Sequence, residues 1–289
     1  MRSLSERLAQ IHSAQPTGRR RRRAPLACAP QPALTSFQAM TQLESPAPQA
    51  NAPDWFGTPY YALLYHHRDE TEACLFIANL VRYLGLQPGD RVLDIGCGRG
   101  RHAVCLREHG LDVDAFDISP ACIAVARRHA GEKLRFHVHD MRRPFAAGGY
   151  RCAFNMFTSF GYFADDAENA RVVAAAAQAL DPGGGLVLDF LNAHWIVPRL
   201  TPFSVQVIGG VRFEIRREYA EGFIVKTIAF EDAGQRFRFI ERVKDIRLPT
   251  LQSFFTEADL RVEAIFGDYD LSPYAPDASR RVILIGRKP

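Results

Sequence analysis

The sequence has no uninterrupted apolar run long enough to cross a bilayer as a helix, which takes about 18–20 residues. Its most apolar stretch, Val172 to Phe190, is broken by Gln178, Asp181, Pro182 and three consecutive glycines, 183 to 185. A membrane-spanning helix is excluded, and no membrane partner is expected. The six cysteines (Cys28, Cys74, Cys97, Cys105, Cys122 and Cys152) include no C-x-x-C pair and follow no apolar leader. Neither a disulfide framework nor a zinc knuckle is therefore suggested, and reduced thiols in a cytoplasmic setting are expected. With 47% hydrophobic, 24% charged and 11% aromatic residues, the chain is neither collagen-like, wholly disordered nor coiled-coil.

Strong charge of one sign is scarce as well. The net +4 comes from 36 basic and 32 acidic residues, and the excess is confined to residues 1–39, where seven arginines, five of them at 19–23, meet the single acid Glu6. The remainder is slightly acidic, which argues against a polyanion-binding body. Residues 1–53 are also rich in proline, alanine, serine and glutamine, with six prolines between 25 and 53. They read as a disordered extension before a domain at 54–289. An organelle address, or a working start at Met40, are the other readings.

From Tyr60 to Leu84 apolar residues recur at helical spacing, interrupted by His66-His67-Arg68-Asp69-Glu70. Two helices with a break are expected there. Beyond the turn at 87–90, candidate strands (91–95, 112–116, 134–138, 151–157, 185–190) alternate with candidate helices (101–109, 119–130, 166–180). This is an α/β pattern, a Rossmann-like sheet with helices on both faces. Residues 200–248 change to near-alternation (Val211/Phe213/Ile215, Phe223/Val225/Ile228, Phe237/Phe239), which reads as an antiparallel insertion with one covered face. A helix at about 250–260 and strands at 261–267 and 280–286 close the chain. There is no internal repeat.

The segment Val92-Leu93-Asp94-Ile95-Gly96-Cys97-Gly98-Arg99-Gly100-Arg101-His102 carries the most chemistry. Glycines between a strand and a helix let a ligand approach the backbone and the helix-start N–H groups, although a tight turn alone would also explain them. Two features point beyond the turn. Asp94 places a charge inside an apolar strand, which is costly without a partner. Asp117 ends the next strand, where a Rossmann-like fold grips ribose hydroxyls. A dinucleotide fingerprint would want its third glycine at 101, where this chain has Arg101. The cationic ammonium and sulfonium of S-adenosylmethionine suit an acid in the preceding strand better than a pyrophosphate does.

The run from Asp94 to Gly100 resembles the first motif of the class I S-adenosylmethionine-dependent methyltransferases. Asp117, His139-Asp140-Met141 and Leu180-Asp181-Pro182-Gly183-Gly184 follow in the expected order. The resemblance covers about residues 55–289. Within the superfamily, Trp55-Phe56, Tyr60-Tyr61, Tyr65, Arg68-Asp69-Glu70 and the segment Phe157 to Phe163 resemble bacterial small-molecule members of the amino-sugar and glycine N-methyltransferase kind. It implies a seven-stranded mixed sheet whose last strand is antiparallel, an N-terminal helical lid, and methyl transfer to a nitrogen or oxygen of a small molecule. Asp94 would stand near the methionine amine, with Gly96, Cys97, Gly98 and Arg101 lining the cofactor. Asp117 would bind ribose, Ile118 would pack on adenine, Asp140 and Met141 would read its edge, and Asn155 would face the methionine part or the nucleophile.

On the acceptor side, Phe157, Ser159 and Tyr162 follow the fourth strand, where aromatic faces suit a cationic or ring-shaped ligand. Core packing would explain them equally well. Tyr61, Tyr65 and Arg68 would belong to the lid, though a solvated helix end is the plain alternative for 66–70. A proton acceptor is sought among Tyr162, His67 and His194. His137 and His139 lack a visible third ligand, so no metal is expected. No N-P-P-[YF] follows the fourth strand and no Pro-Cys pair occurs, which lowers a nucleic-acid substrate. A nicotinamide-dependent oxidoreductase, a nucleic-acid methyltransferase and a cofactor-binding regulator without catalysis are the competing readings. Oligomeric state is beyond the sequence.

Overall fold

A computed structural model of the chain describes residues 52–66 and 70–289. Residues 1–51 of the expected extension at 1–53, and the candidates His67 and Arg68, lie outside the described residues, while 52 and 53 already belong to the first helix. Helices α1 (Ala52–Gly57), α2 (Pro59–Leu64) and α3 (Glu70–Leu84) precede an alternation of β1 (Arg91–Ile95), α4 (Arg101–Glu108), β2 (Asp112–Asp117), α5 (Pro120–Ala126), β3 (Leu134–Val138), β4 (Tyr150–Asn155), α6 (Asp166–Ala179) and β5 (Leu180–Leu191). A short α7 (Ala193–Ile196) leads into β6 (Phe203–Ile208), β7 (Val211–Ala220), β8 (Phe223–Asp232) and β9 (Gln235–Lys244). The chain ends with α8 (Leu248–Glu257), β10 (Arg261–Phe266) and β11 (Arg281–Arg287).

Helix starts are written locally. Thr58 caps α2 and Ser119 caps α5, each followed by proline, whose fixed φ suits the first helical position. Asp165 caps α6, and Asp166 and Glu168 in its first turn favour the positive end of the helix dipole.

The main sheet has the order β10-β11-β5-β4-β1-β2-β3, parallel except for β11, which runs against both neighbours. Strand alternation sends Val92, Val113, Phe154 and Val187 to one face, under α3, α4 and α5, and sends Leu93, Phe116, Ala153 and Leu188 to the other, under α6 and α8. This is the expected helix-covered mixed sheet with its last strand antiparallel.

The insertion is a second, four-stranded antiparallel sheet of order β6-β7-β8-β9. Its covered face holds Val211, Phe213, Ile215, Ile228, Phe230 and Phe239, packed on Trp55, Leu63 and Leu64 of α1 and α2. The phase of β8 differs from the Phe223/Val225/Ile228 reading. Ile224, Lys226, Ile228 and Phe230 share the inner face, opposite Val243, Glu241, Phe239 and Phe237. A charged pair inside an otherwise apolar stripe disguised the alternation.

The expectation that all thiols are reduced is corrected for one pair. Cys74 of α3 and Cys105 of α4 form a disulfide across two helices packed side by side. Cys97, Cys122 and Cys152 are free and buried. Among the described residues no helix is long and apolar enough to cross a membrane.

Candidate active site at the carboxyl edge of the sheet

The turn after β1 is knitted to β2. Both the Gly96 and Cys97 N–H groups donate to the Phe116 carbonyl, at 2.8 and 2.9 Å. The Gly98 N–H donates to Asp117 Oδ2 at 2.9 Å, while Ser119 N–H donates to its Oδ1 at 2.8 Å. Gly98 has φ +56°, and a Cβ built on it would meet nothing within 4 Å, so the turn leaves room where a ligand could approach the backbone. Gly96 differs: at φ +72° its added Cβ would lie 2.8 Å from Ser159 Cβ, so glycine is required for close approach of the loop after β4.

Beneath the turn Asp94 is 1% exposed. It accepts the Ala103 N–H at the start of α4, but its Oδ2 has no hydrogen-bond partner among the described residues. Burial, followed by the nearby Asp117 charge, pushes its carboxyl up to about 7. On the neighbouring strand Asn155 donates to the Ile95 carbonyl at 3.2 Å and leaves its buried Oδ1 unpartnered. Register pairs Asp94 with Phe154 and Ile95 with Asn155, so the two vacant acceptors stand at the ends of adjacent strands. Burial also raises the Asp117 carboxyl, against the pull of its backbone donors.

The loop after β4 turns sharply. Phe157 and Thr158 have φ of 59° and 60°. The Phe157 ring lies under the Arg101 guanidinium, 4.7 Å from it, and against His102. Arg101 also reaches Glu72 at 4.0 Å. Burial, helped by the charges of Arg101 and Arg281, lowers His102 to about 3 and keeps it neutral. Ser159 Oγ lies 2.9 Å from the Gly96 carbonyl.

An aromatic wall continues from this loop. Tyr162 meets Phe56, Phe56 meets Tyr61, and Tyr61 meets both Trp55 and Tyr65, with ring centroids 4.6–5.6 Å apart. The wall ends on Glu241, which accepts from Trp55 Nε1 at 2.7 Å and Tyr65 OH at 2.8 Å and pairs with Lys226 at 3.6 Å. Lys226 also contacts the Tyr65 hydroxyl and ring. Arg99 pins the wall to the glycine turn by donating to the Thr58 and Gly57 carbonyls at 2.7 and 3.2 Å.

The structure thus gathers Asp94, Gly96, Gly98, Arg101, Asp117, Asn155, Phe157 and Ser159 around one turn, and Tyr61, Tyr65 and Tyr162 along one wall. Ile118, directly after β2, exposes 48% of its surface. Cys97 is buried in the core cluster, and its thiol donates to the Gly98 carbonyl at 3.7 Å. Asp140 is held by a bidentate contact from Arg142, Nε to Oδ1 at 3.1 Å and Nη2 to Oδ2 at 2.7 Å, and Met141 packs beside Asn155, 4.0 Å from its amide nitrogen. His194 lies past the end of β5 with Asp277 as its partner at 2.8 Å. His137 is engaged by Asp114 and His139 by the Arg143 carbonyl.

Sequence reasoning missed Arg99, Glu241, Lys226, Asp189 and Arg281. Asp189 sits in the apolar run Leu186-Val187-Leu188-Asp189-Phe190, the same kind of signal that marked Asp94.

Residues 92–184 match the family described as "Methyltransferase domain". Over 110 residues the chain is 34% identical to the ubiquinone biosynthesis O-methyltransferase of Aromatoleum aromaticum, covering 37% of this chain and 46% of that protein. It is 27% identical over 205 residues to dTDP-3-amino-3,4,6-trideoxy-alpha-D-glucopyranose N,N-dimethyltransferase of Streptomyces venezuelae, covering 66% of this chain and 83% of that one. The chain spans about half the length of the O-methyltransferase relatives it matches. The fold is shared with an S-adenosylmethionine-dependent methyltransferase from Clostridium acetobutylicum (TM-score 0.69, 16% identity, 82% of this chain and 99% of that one). It is shared also with a sugar N-methyltransferase from Streptoalloteichus (TM-score 0.65, 22% identity, 89% and 99%). A parallel sheet with one antiparallel strand, a glycine turn after β1 and an acid closing β2 define a Rossmann-like fold. The chain is thus similar to S-adenosylmethionine-dependent methyltransferases over its matched segment and in its fold.

Proposed function

We propose that the protein transfers a methyl group from S-adenosylmethionine to a nitrogen or oxygen of a small-molecule acceptor. The observation that carries this reading is the pair of buried, unpartnered acceptors, Asp94 Oδ2 and Asn155 Oδ1, beside a glycine turn with open space at Gly98. A buried carboxylate without a cation is costly, and a ligand ammonium would relieve that cost. The donor set therefore fits the cofactor. Asp117 already receives two backbone N–H groups, yet a carboxylate has about four lone-pair sites, which leaves capacity for ribose hydroxyls. Ile118 offers an apolar platform for adenine. Because Arg142 places four contacts on the two oxygens of Asp140, from its backbone N–H and its guanidinium, where Asp117 receives two, Met141 is the better candidate for the adenine edge.

When bound, the cofactor supplies a methyl activated as a sulfonium substituent. The protein's own work is alignment and exclusion of water. Arg99 and Glu241 hold the aromatic wall over the turn, and Phe157, Ser159 and Tyr162 face it from the loop after β4. Such orientation can account for about 7–11 kcal/mol of a barrier. An acceptor proton would pass to Tyr162, with His67 and His194 the other candidates from the sequence; His194 is already engaged by Asp277. The named activities of the relatives, on an amino sugar and in ubiquinone biosynthesis, support a small acceptor of this kind. The inserted strands mix Arg212, Arg216 and Arg217 with Glu214, Glu218 and Glu221, which suits no nucleic-acid backbone. Three buried free thiols suit the cytoplasm, and the Cys74–Cys105 bridge is the observation against that setting.

Calorimetry with S-adenosylhomocysteine and with NAD tests the reading. Binding of the first and not the second is expected. NAD binding with no response to S-adenosylhomocysteine would restore the oxidoreductase alternative.

A further inference from the structure

Phe157 and Thr158 take left-handed φ in succession. Such values are rare for aromatic and β-branched residues, and they persist only where the surroundings impose them. Here both are held by Asp189. Its Oδ2 accepts the Phe157 N–H at 2.8 Å, and its backbone carbonyl accepts the Thr158 N–H at 3.2 Å. Arg281, at the start of β11, donates from Nε to Asp189 Oδ1 at 2.7 Å and from Nη2 to Thr158 Oγ1 at 3.0 Å. The Tyr269 hydroxyl reaches Asp189 Oδ2 at 3.3 Å. Asp189 is fully buried, and the Arg281 side chain is 16% exposed. One residue further on, Ser159 contacts the Gly96 carbonyl. Polar contacts thus tie β11 and β5 to Phe157 and Thr158, and the next residue along the backbone, Ser159, ties the loop to the glycine turn.

We propose that Asp189 and Arg281 are positioning residues of the active site: together they force the Phe157–Thr158 corner into left-handed geometry, and so set Phe157 against Arg101 and Ser159 against the cofactor turn. The inference rests on the methyl-transfer reading for its purpose, but the corner itself can be tested without turnover. A pair that only filled space would be replaceable without regard to backbone conformation at 158. A pair that enforces a conformation should become dispensable once the residue adopts that conformation unaided, and glycine does so freely.

The test compares wild type, Asp189→Asn, Asp189→Asn with Thr158→Gly, and Asp189→Asn with Thr158→Ala. Two readouts are used: amide hydrogen exchange across 156–160 in the cofactor-free protein, and S-adenosylhomocysteine affinity by calorimetry. Asp189→Asn should speed exchange at Phe157 and Thr158 at least tenfold and weaken S-adenosylhomocysteine about three- to tenfold. Glycine at 158 should restore most of the affinity, and alanine should not. Unchanged exchange in Asp189→Asn, or equal rescue by glycine and alanine, would overturn the proposal. Should Asp189→Asn fail to fold, the same series on Arg281→Gln decides the matter. A wild-type chain that ignores S-adenosylhomocysteine would defeat the methyl-transfer reading instead, and the exchange data would still judge the corner.

Discussion

Asp94 and Asp189 are both buried at the carboxyl end of the same sheet, on the same face, yet they are provided for in opposite ways. Asp94 pairs in register with Phe154, and Phe154 with Val187, so Asp189 lies two residues beyond the level of Asp94 on the next strand but one. Asp189 has its cation within the chain, and each of its side-chain oxygens has a donor. Burial pushes its carboxyl up, and the Arg281 guanidinium pulls against that; Arg281 is itself held charged by Asp189 in spite of burial. Asp94 has a single backbone donor and a vacant oxygen. A buried charge with its partner supplied reads as structure, whereas one without reads as a place kept for a ligand.

The contrast breaks most visibly if the partnered acid is removed. Asp189→Ala strands the Arg281 charge, and should cost about 3–5 kcal/mol in urea denaturation. A loss under about 1 kcal/mol would mean that solvent reaches the pair. A covalent tie on the same face gives the next largest effect. Cys105→Ser opens the bridge between α3 and α4 and should cost about 2–4 kcal/mol under oxidising conditions, against no difference from wild type under reducing ones. Asp117→Ala should weaken S-adenosylhomocysteine by about 1.5–3 kcal/mol, or roughly 10- to 150-fold, as expected for charge-assisted contacts. Equal affinity in calorimetry would remove Asp117 from the cofactor site.

The unpaired acid was legible in the sequence and the paired one was not. Asp94 announced itself because glycines follow it within two residues, so the anomaly and its purpose lie side by side. Asp189 shows the same anomaly, but Arg281 stands 92 positions away, and only the antiparallel return of β11 beside β5 brings them together. The same holds for Glu241 and Lys226, whose cross-strand pairing hid the phase of β8, and for Cys74 and Cys105, which helix packing joins. The order of strands, by contrast, follows from local alternation, and the glycine turn from local backbone geometry. Loop contacts such as Arg99 on Thr58 depend on where the N-terminal helices dock, which no spacing encodes.

The most direct measurement is the stability of Asp94→Asn against pH, with and without S-adenosylhomocysteine. In the folded cofactor-free protein the Asp94 carboxyl keeps its proton up to about 7, against an ordinary value of 3.8 in the unfolded chain. Folding is therefore favoured by this group below the unfolded value, and the benefit is lost as the pH rises through about 7. At pH 8 the neutral amide should make the cofactor-free variant more stable than wild type by on the order of 2–4 kcal/mol, the difference closing as the pH falls toward 4. The same variant should bind S-adenosylhomocysteine at least about tenfold more weakly at pH 8, since a charge-assisted contact is lost. A variant less stable than wild type at every pH, binding S-adenosylhomocysteine as tightly as wild type, would contradict the claim that Asp94 is kept unpaired for the cofactor.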